Sequence, residues 1–195
     1  MSLPALVSEP ATALLPEGVV VTPLVAHADD RGRFTEIFRA SWPTDVEPLQ
    51  WNIVSSVAGV LRGVHVHRRH ADYLTVASGR LTLGLADLRG GAPANACCIR
   101  LDAENPAAVT IPPGVAHGFF FPEPTVHVYA VSRYFDSSDE LGCRWDDPDL
   151  AIPWQVSAPS LSPRDVALPA LAGLLCELRE ARRSARAGRD SPPGE

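Results

Sequence analysis

The 195-residue chain contains no lysine; all 17 of its basic residues are arginine. Schiff-base chemistry and a mobile ammonium beside a developing anion are therefore not available from this chain. Basic charge is scarce overall, because 23 acidic residues leave a formal net charge of -6. Non-specific nucleic-acid binding draws on a basic surface, so nucleic acid is not an expected partner. No apolar run reaches the roughly 18 residues that a spanning helix needs, and no membrane partner is expected. The segment "MSLPALVSEPATALLPEG" lacks the basic start of a secretory signal and interrupts its apolar part with acids and prolines, which reads as cytoplasmic. Four cysteines are too few for a disulfide framework in a chain of this length. The adjacent Cys97 and Cys98 lack the CxxC spacing of zinc sites, so buried free thiols are expected.

What the sequence does have is punctuation. Nineteen prolines and 14 glycines leave strand-length runs rich in Val, Thr, Ile, Tyr and Phe: 18–27, 73–88, 97–102, 107–114, 117–121 and 125–135. In the last run, Val126, Val128 and Ala130 alternate with His127, Tyr129 and Val131, which sets His127 and Tyr129 on one strand face. Beyond Ser162, a plausible helix cap, "LAGLLCELREARRSAR" has the spacing of an amphipathic helix. The expected fold class is all-β, a jelly-roll barrel with a short C-terminal helical segment. One domain is expected over about 1–185, with its barrel core at about 45–136, its helical part at about 162–185, and a disordered tail over 186–195.

Chemistry-bearing residues concentrate in "GVHVHRRHADYLTVASG". His65 and His67 form an HxH pair, Asp72 follows after four residues and Gly79 after six more; "PPGVAHGF" later supplies Pro112, Gly114 and His117 as P-x-G-x-x-H. Two imidazoles at i and i+2 of a strand face the same side. These spacings resemble the two motifs of metal-binding cupins, and the implied ligand set His65, His67, Asp72 and His117 would suit divalent iron, manganese, nickel or zinc. Asp72 stands where cupins usually carry glutamate.

In the longer frame, "HADDRGRFTEIF", "LQWNIVSSVAGVLRGVHVH", "IPPGVAHGFFF", "VYAVSRYF", "GCRWDDPDLAIPW" and "LSPRDVALP" occur in this order. Together, from about residue 20 to about 172, they resemble the dTDP-4-dehydrorhamnose 3,5-epimerase family. The resemblance implies a cupin-type barrel, a homodimer, and no metal or organic cofactor. It also implies a dTDP-linked 4-keto-6-deoxy sugar, epimerised at C3, C5 or both through an enolate. By resemblance His65 is the base, Asp165 orients it and Tyr129 protonates the opposite face. Substrate contacts fall on Arg31, Phe34, Glu36, Gln50, Asn52, Arg62, Asp72 and His117. The types make sense: abstraction beside a ketone needs a base titrating near neutral pH, and an arginine fork suits a diphosphate. His27 and His127 are expected to be satisfied barrel histidines.

The departures cluster in the pocket. The family lysine that can stabilise the enolate oxygen falls on Asp72, a family glutamine falls on His67, and one serine of "QxNxSxS" falls on Val54. Losing one preorganised donor from an oxyanion costs about 2.7 to 4 kcal/mol. Three readings remain open: an epimerase in which Arg68, Arg69, His67 or His70 replaces that cation, a metal-dependent cupin acting on a related sugar nucleotide, and a non-catalytic binding relative.

Overall fold

The computed structural model describes residues 14–187. Twelve strands form: β1 (Val20–Pro23), β2 (Ala26–Asp29), β3 (Gly32–Thr35), β4 (Gln50–Ser56), β5 (Leu61–Val66), β6 (Asp72–Ser78), β7 (Arg80–Asp87), β8 (Ala94–Asp102), β9 (Ala107–Ile111), β10 (Val115–Phe120), β11 (Thr125–Val131) and β12 (Leu141–Gly142). A single 3-10 turn spans Ser137–Asp139, and two helices follow, α1 (Pro163–Val166) and α2 (Leu171–Ala187). The strands pair antiparallel into two five-stranded sheets, β1-β9-β6-β11-β4 and β12-β5-β10-β7-β8, with β2 and β3 forming a separate hairpin. This is the expected all-β jelly roll, built as two facing sheets. Strands β1 and β12, outside the expected core range, also join the sheets.

The run read as one strand over 73–88 is two. The chain leaves the first sheet at the end of β6 and enters the second at β7, and Gly79 makes the corner with φ +75. A side chain there would collide with the Pro124 carbonyl, and the positive φ strains any other residue type.

Alternation assigns each sheet an inner and an outer face. Leu74, Val76, Val109 and Ile111 from one sheet meet Leu81, Leu83, Leu85, Cys97 and Leu101 from the other in the central apolar core. The outer face of the second sheet, with Val64, Val66, Ala86, Leu88 and Ala116, is covered by Cys143, Leu150, Ile152 and the Leu171, Leu174, Leu178 stripe of α2. That stripe has the i, i+3, i+7 spacing of a helix face. Fully burying a leucine such as Leu174 contributes about 1.5–3 kcal/mol. The first sheet packs Tyr73, Ala108 and Ala130 against Leu24, Val46, Phe38 and Trp42.

Ser162 is a cap, but of the short α1: its Oγ accepts a hydrogen bond from the Asp165 backbone N–H. Pro169 then stands in the break before α2, where its ring prevents a continuous helix. The expected disordered tail lies outside the described residues from 188 onward, whereas α2 runs through Ala187. Cys97 and Cys143 are buried free thiols, Cys98 is partly buried, and Cys176 is exposed on α2 rather than buried.

Candidate active site

Between the sheets the apolar core gives way to a cavity of about 300 Å³. Leu74, Phe119 and Tyr129 border both regions, so the core forms one wall of the cavity. Strand β4 shows why a space remains there: Gln50, Asn52 and Val54 line the cavity, while Trp51 and Ile53 on its opposite face are 42% and 73% exposed. Polar and short side chains point inward from this edge strand, and large apolar ones point out. Opposite it in register, β11 presents His127, Tyr129 and Val131 to the same cavity, as the alternation predicts.

The second sheet contributes His65 from β5. Its Nε2 lies 2.7 Å from Asp165 Oδ1, joining residues 100 apart in sequence. The other carboxylate oxygen accepts a 2.8 Å hydrogen bond from Ser162 Oγ. Burial pushes the Asp165 carboxyl up, but the hydrogen bonds from His65, Ser162 and the Gly63 backbone outweigh it and hold the group below its ordinary value. An ionised carboxylate can only accept, so His65 Nε2 carries the proton and Nδ1 keeps its lone pair. Gly63 lets β5 lie close against β10: φ is +116, and a Cβ there would press to 2.9 Å from the Gly118 and His117 backbone.

A second group gathers on the cavity floor. His67 and His117 ring centroids are 5.3 Å apart, His70 stacks on His67 at 4.0 Å, and Asp72 Oδ2 lies 3.9 Å from His117 Nε2. Burial pushes the Asp72 carboxyl up to about 7, against a lowering by His67. His117 is held well below the usual histidine range, first by burial and then by repulsion from His67. Burial, then the Asp72 and Glu140 charges, raise the Tyr129 phenol, keeping it protonated as a donor.

Of the residues singled out from sequence, Gln50, Asn52, Arg62, His65, His67, Asp72, His117, Tyr129 and Asp165 all line this cavity. Arg31, Phe34 and Glu36 do not. They lie on or just after the β2–β3 hairpin, where Arg31 pairs with Asp29, Glu36 pairs with Arg39, and Phe34 is 64% exposed. The four-residue metal set is also corrected. His67, Asp72 and His117 come together, but His65 is turned to Asp165. Arg68 and Arg69 are unsuited to replace a cavity cation, because they pair with Asp139 and Asp136 away from the lining. His127 is not a satisfied histidine: it lines the cavity and its buried Nδ1 has no partner. His27 is exposed on β2. Sequence reading overlooked Glu140 and Arg164, paired at 3.0 Å on the rim; the position of Arg164 beside Asp165 was the available signal for one of them.

A histidine held by a buried carboxylate and a protonated phenol line one cavity, a pairing able to take up and return protons and one that suits an isomerase. The family profile described as dTDP-4-dehydrorhamnose 3,5-epimerase matches residues 13–173. The chain is 35% identical over 176 residues to a dTDP-4-dehydrorhamnose 3-epimerase of Streptomyces niveus, covering 85% of this chain and 83% of the relative. It is 35% identical over 165 residues to a dTDP-4-dehydrorhamnose 3,5-epimerase of Pseudomonas aeruginosa, covering 77% and 89%. Among solved structures, a 4-keto-6-deoxy sugar epimerase from the novobiocin cluster of Streptomyces spheroides superposes with TM-score 0.74 at 30% identity, covering 92% and 95%. A dTDP-6-deoxy-D-glucose-3,5-epimerase of Legionella pneumophila, in complex with dTDP-4-keto-L-rhamnose, gives 0.75 at 27%, covering 84% and 93%. The chain belongs to the dTDP-4-dehydrorhamnose 3,5-epimerase family. No helix among the described residues is long and apolar enough to cross a membrane.

Proposed function

We propose that the protein epimerises a dTDP-linked 4-keto-6-deoxy sugar at C3, C5 or both, with His65 as base, Asp165 as its orienting partner and Tyr129 as the opposing acid. The observation that carries this reading is the 2.7 Å His65–Asp165 contact at the cavity wall. His65 Nδ1 takes the proton beside the ketone, and the C–H electron pair forms the enolate with charge on the keto oxygen. The imidazolium is stabilised by the Asp165 carboxylate. Tyr129 returns a proton to the other face of that carbon, inverting it.

Arg62 and the amides of Gln50 and Asn52 supply donors for the nucleotide end. Arg31, Phe34 and Glu36 reach such a ligand only from a second copy of the chain. The exposed Trp51 and Ile53 on β4, with Val25 at 67% exposure near the hairpin, give a homodimer an apolar surface to bury. The test is to incubate dTDP-4-keto-6-deoxyglucose with the protein in deuterated water and follow C3 and C5 by NMR. Deuterium enters with wild type and not with His65→Asn. Ligand binding without any exchange would identify a non-catalytic relative instead.

A further inference from the structure

His67, Asp72 and His117 are each more than nine-tenths buried, and the proton transfer itself uses none of them. One ligand atom from each lies within 4.8 Å of those of the other two. Their environments prepare them in a specific way. His67 Nδ1 donates to the Asp139 carbonyl at 3.1 Å, and His117 Nδ1 donates to the Val115 carbonyl at 3.2 Å. A carbonyl only accepts, so both rings carry the proton on Nδ1 and keep an Nε2 lone pair. Backbone carbonyls holding the far nitrogen of an imidazole are the usual support of a metal-ligating histidine.

The Asp72 carboxylate, aimed into the cavity, accepts no hydrogen bond within normal distance. Its nearest imidazole nitrogens are His117 Nε2 at 3.9 Å and His70 Nε2 at 4.0 Å. A buried carboxylate left unpaired beside two lone pairs is costly. A dication satisfies all three at once. The overlapping group of His67, His70 and Asp139 is different: Asp139 already accepts from the Arg68 and Arg69 backbone N–H groups and from Arg68 Nε.

We propose that His67, Asp72 and His117 bind one divalent transition-metal ion on the cavity floor. Two imidazole nitrogens and one carboxylate oxygen suit iron, zinc, manganese or nickel rather than magnesium or calcium, which prefer all-oxygen sites. A tetrahedral ion with ~2.1 Å bonds sets its ligand atoms about 3.4 Å apart, so the Asp72–His117 gap closes with a small side-chain rotation. Three protein ligands leave a coordination position open to the cavity. Resting on the epimerase reading, that position accepts the keto oxygen and stabilises the enolate. This supplies a cation in a chain without lysine, where Arg164 is paired with Glu140 and Arg62 is assigned to the nucleotide end.

The full chain, stripped with chelator, is titrated with cobalt(II) alone by calorimetry and visible absorption. Wild type binds one ion per chain. Asp72→Asn and His117→Asn weaken binding by at least about tenfold, and His65→Asn binds as wild type. Metal raises the melting temperature of wild type but not of Asp72→Asn, each compared with its own metal-free melt, which guards against misfolding. Absence of stoichiometric binding by wild type, or equal binding by Asp72→Asn and His117→Asn, overturns the site. Deuterium exchange unchanged in stripped protein overturns the Lewis-acid role alone. No exchange in fully loaded wild type counts against the epimerase reading and leaves the site standing.

Discussion

Replacing Asp165 by Asn keeps the shape of the side chain and its contact with Ser162 but removes the charge facing His65. When His65 takes a substrate proton it becomes an imidazolium 2.7 Å from that oxygen. Two unit charges about 4 Å apart, charge centre to charge centre, interact by about 4 kcal/mol at an effective dielectric of 20. The His65 side chain is 19% exposed, so solvent trims this interaction to about 3 kcal/mol, or about 100-fold in rate. Misorientation of the ring adds to it, because Asn can present either its oxygen or its NH2 to Nε2 and so no longer fixes the tautomer. The expected loss in kcat for Asp165→Asn is therefore about 10²- to 10³-fold, with KM little changed. Ser162→Ala, which removes one hydrogen bond to the carboxylate, falls only about tenfold or less. The assay is initial-rate deuterium wash-in on dTDP-4-keto-6-deoxyglucose, alongside near-ultraviolet circular dichroism to verify packing. A folded Asp165→Asn protein exchanging within about threefold of wild type would refute the assigned partnership.

Tyr129→Phe removes the opposing acid but not the base, so exchange at the abstracted carbon persists while inversion, read by NMR of the product, drops about 10²-fold or more. Gly84→Val is expected to destabilise the fold by about 1–3 kcal/mol in chemical denaturation, because a Cβ at 84 overlaps the Trp154 ring packed on that strand. Burial, and then the Arg62 charge, lower His127 to about 4. The unfolded chain thus binds more protons than the native one between about pH 6.5 and 4. Stability is full above that window and falls by up to about 3 kcal/mol as pH drops through it. His127→Phe flattens this part of the acid-side loss, measured by guanidinium melts across the window, and an unchanged slope would contradict the buried neutral state of His127.

Much of the fold was legible because β-branched runs and turn residues agree with one another, and the β11 alternation placed His127 and Tyr129 correctly. Strand β4 was absent from the runs read as strands. Its apolar residues, Trp51 and Ile53, face outward and its amides face inward, which reverses the pattern that burial imposes elsewhere. Gly79 hid a change of sheet inside one apolar run, since composition does not register which sheet a strand joins. In the site, the pairing of His65 with Asp165 was reachable only through resemblance, because no local spacing links residues 100 apart. The HxH spacing suggested that His65 and His67 act together. The structure separates them, because β5 ends at Val66, leaving His67 beyond the strand and turned to the Asp139 carbonyl.

The distance in sequence between the two halves of the dyad also sets when activity can arise. During synthesis, β5 emerges from the ribosome long before the segment that carries Asp165, so His65 at first lacks its carboxylate. The base is completed only when α1 docks beside β5, and the Leu171, Leu174, Leu178 stripe of α2 anchors the chain just beyond it. A nascent or C-terminally clipped chain therefore lacks at once the carboxylate that holds the His65 imidazole, the part of the cavity wall formed by Ser162, Arg164 and Asp165, and the leucine stripe that covers the second sheet. On the proposed mechanism, proton-abstracting power is withheld until this late segment is in place.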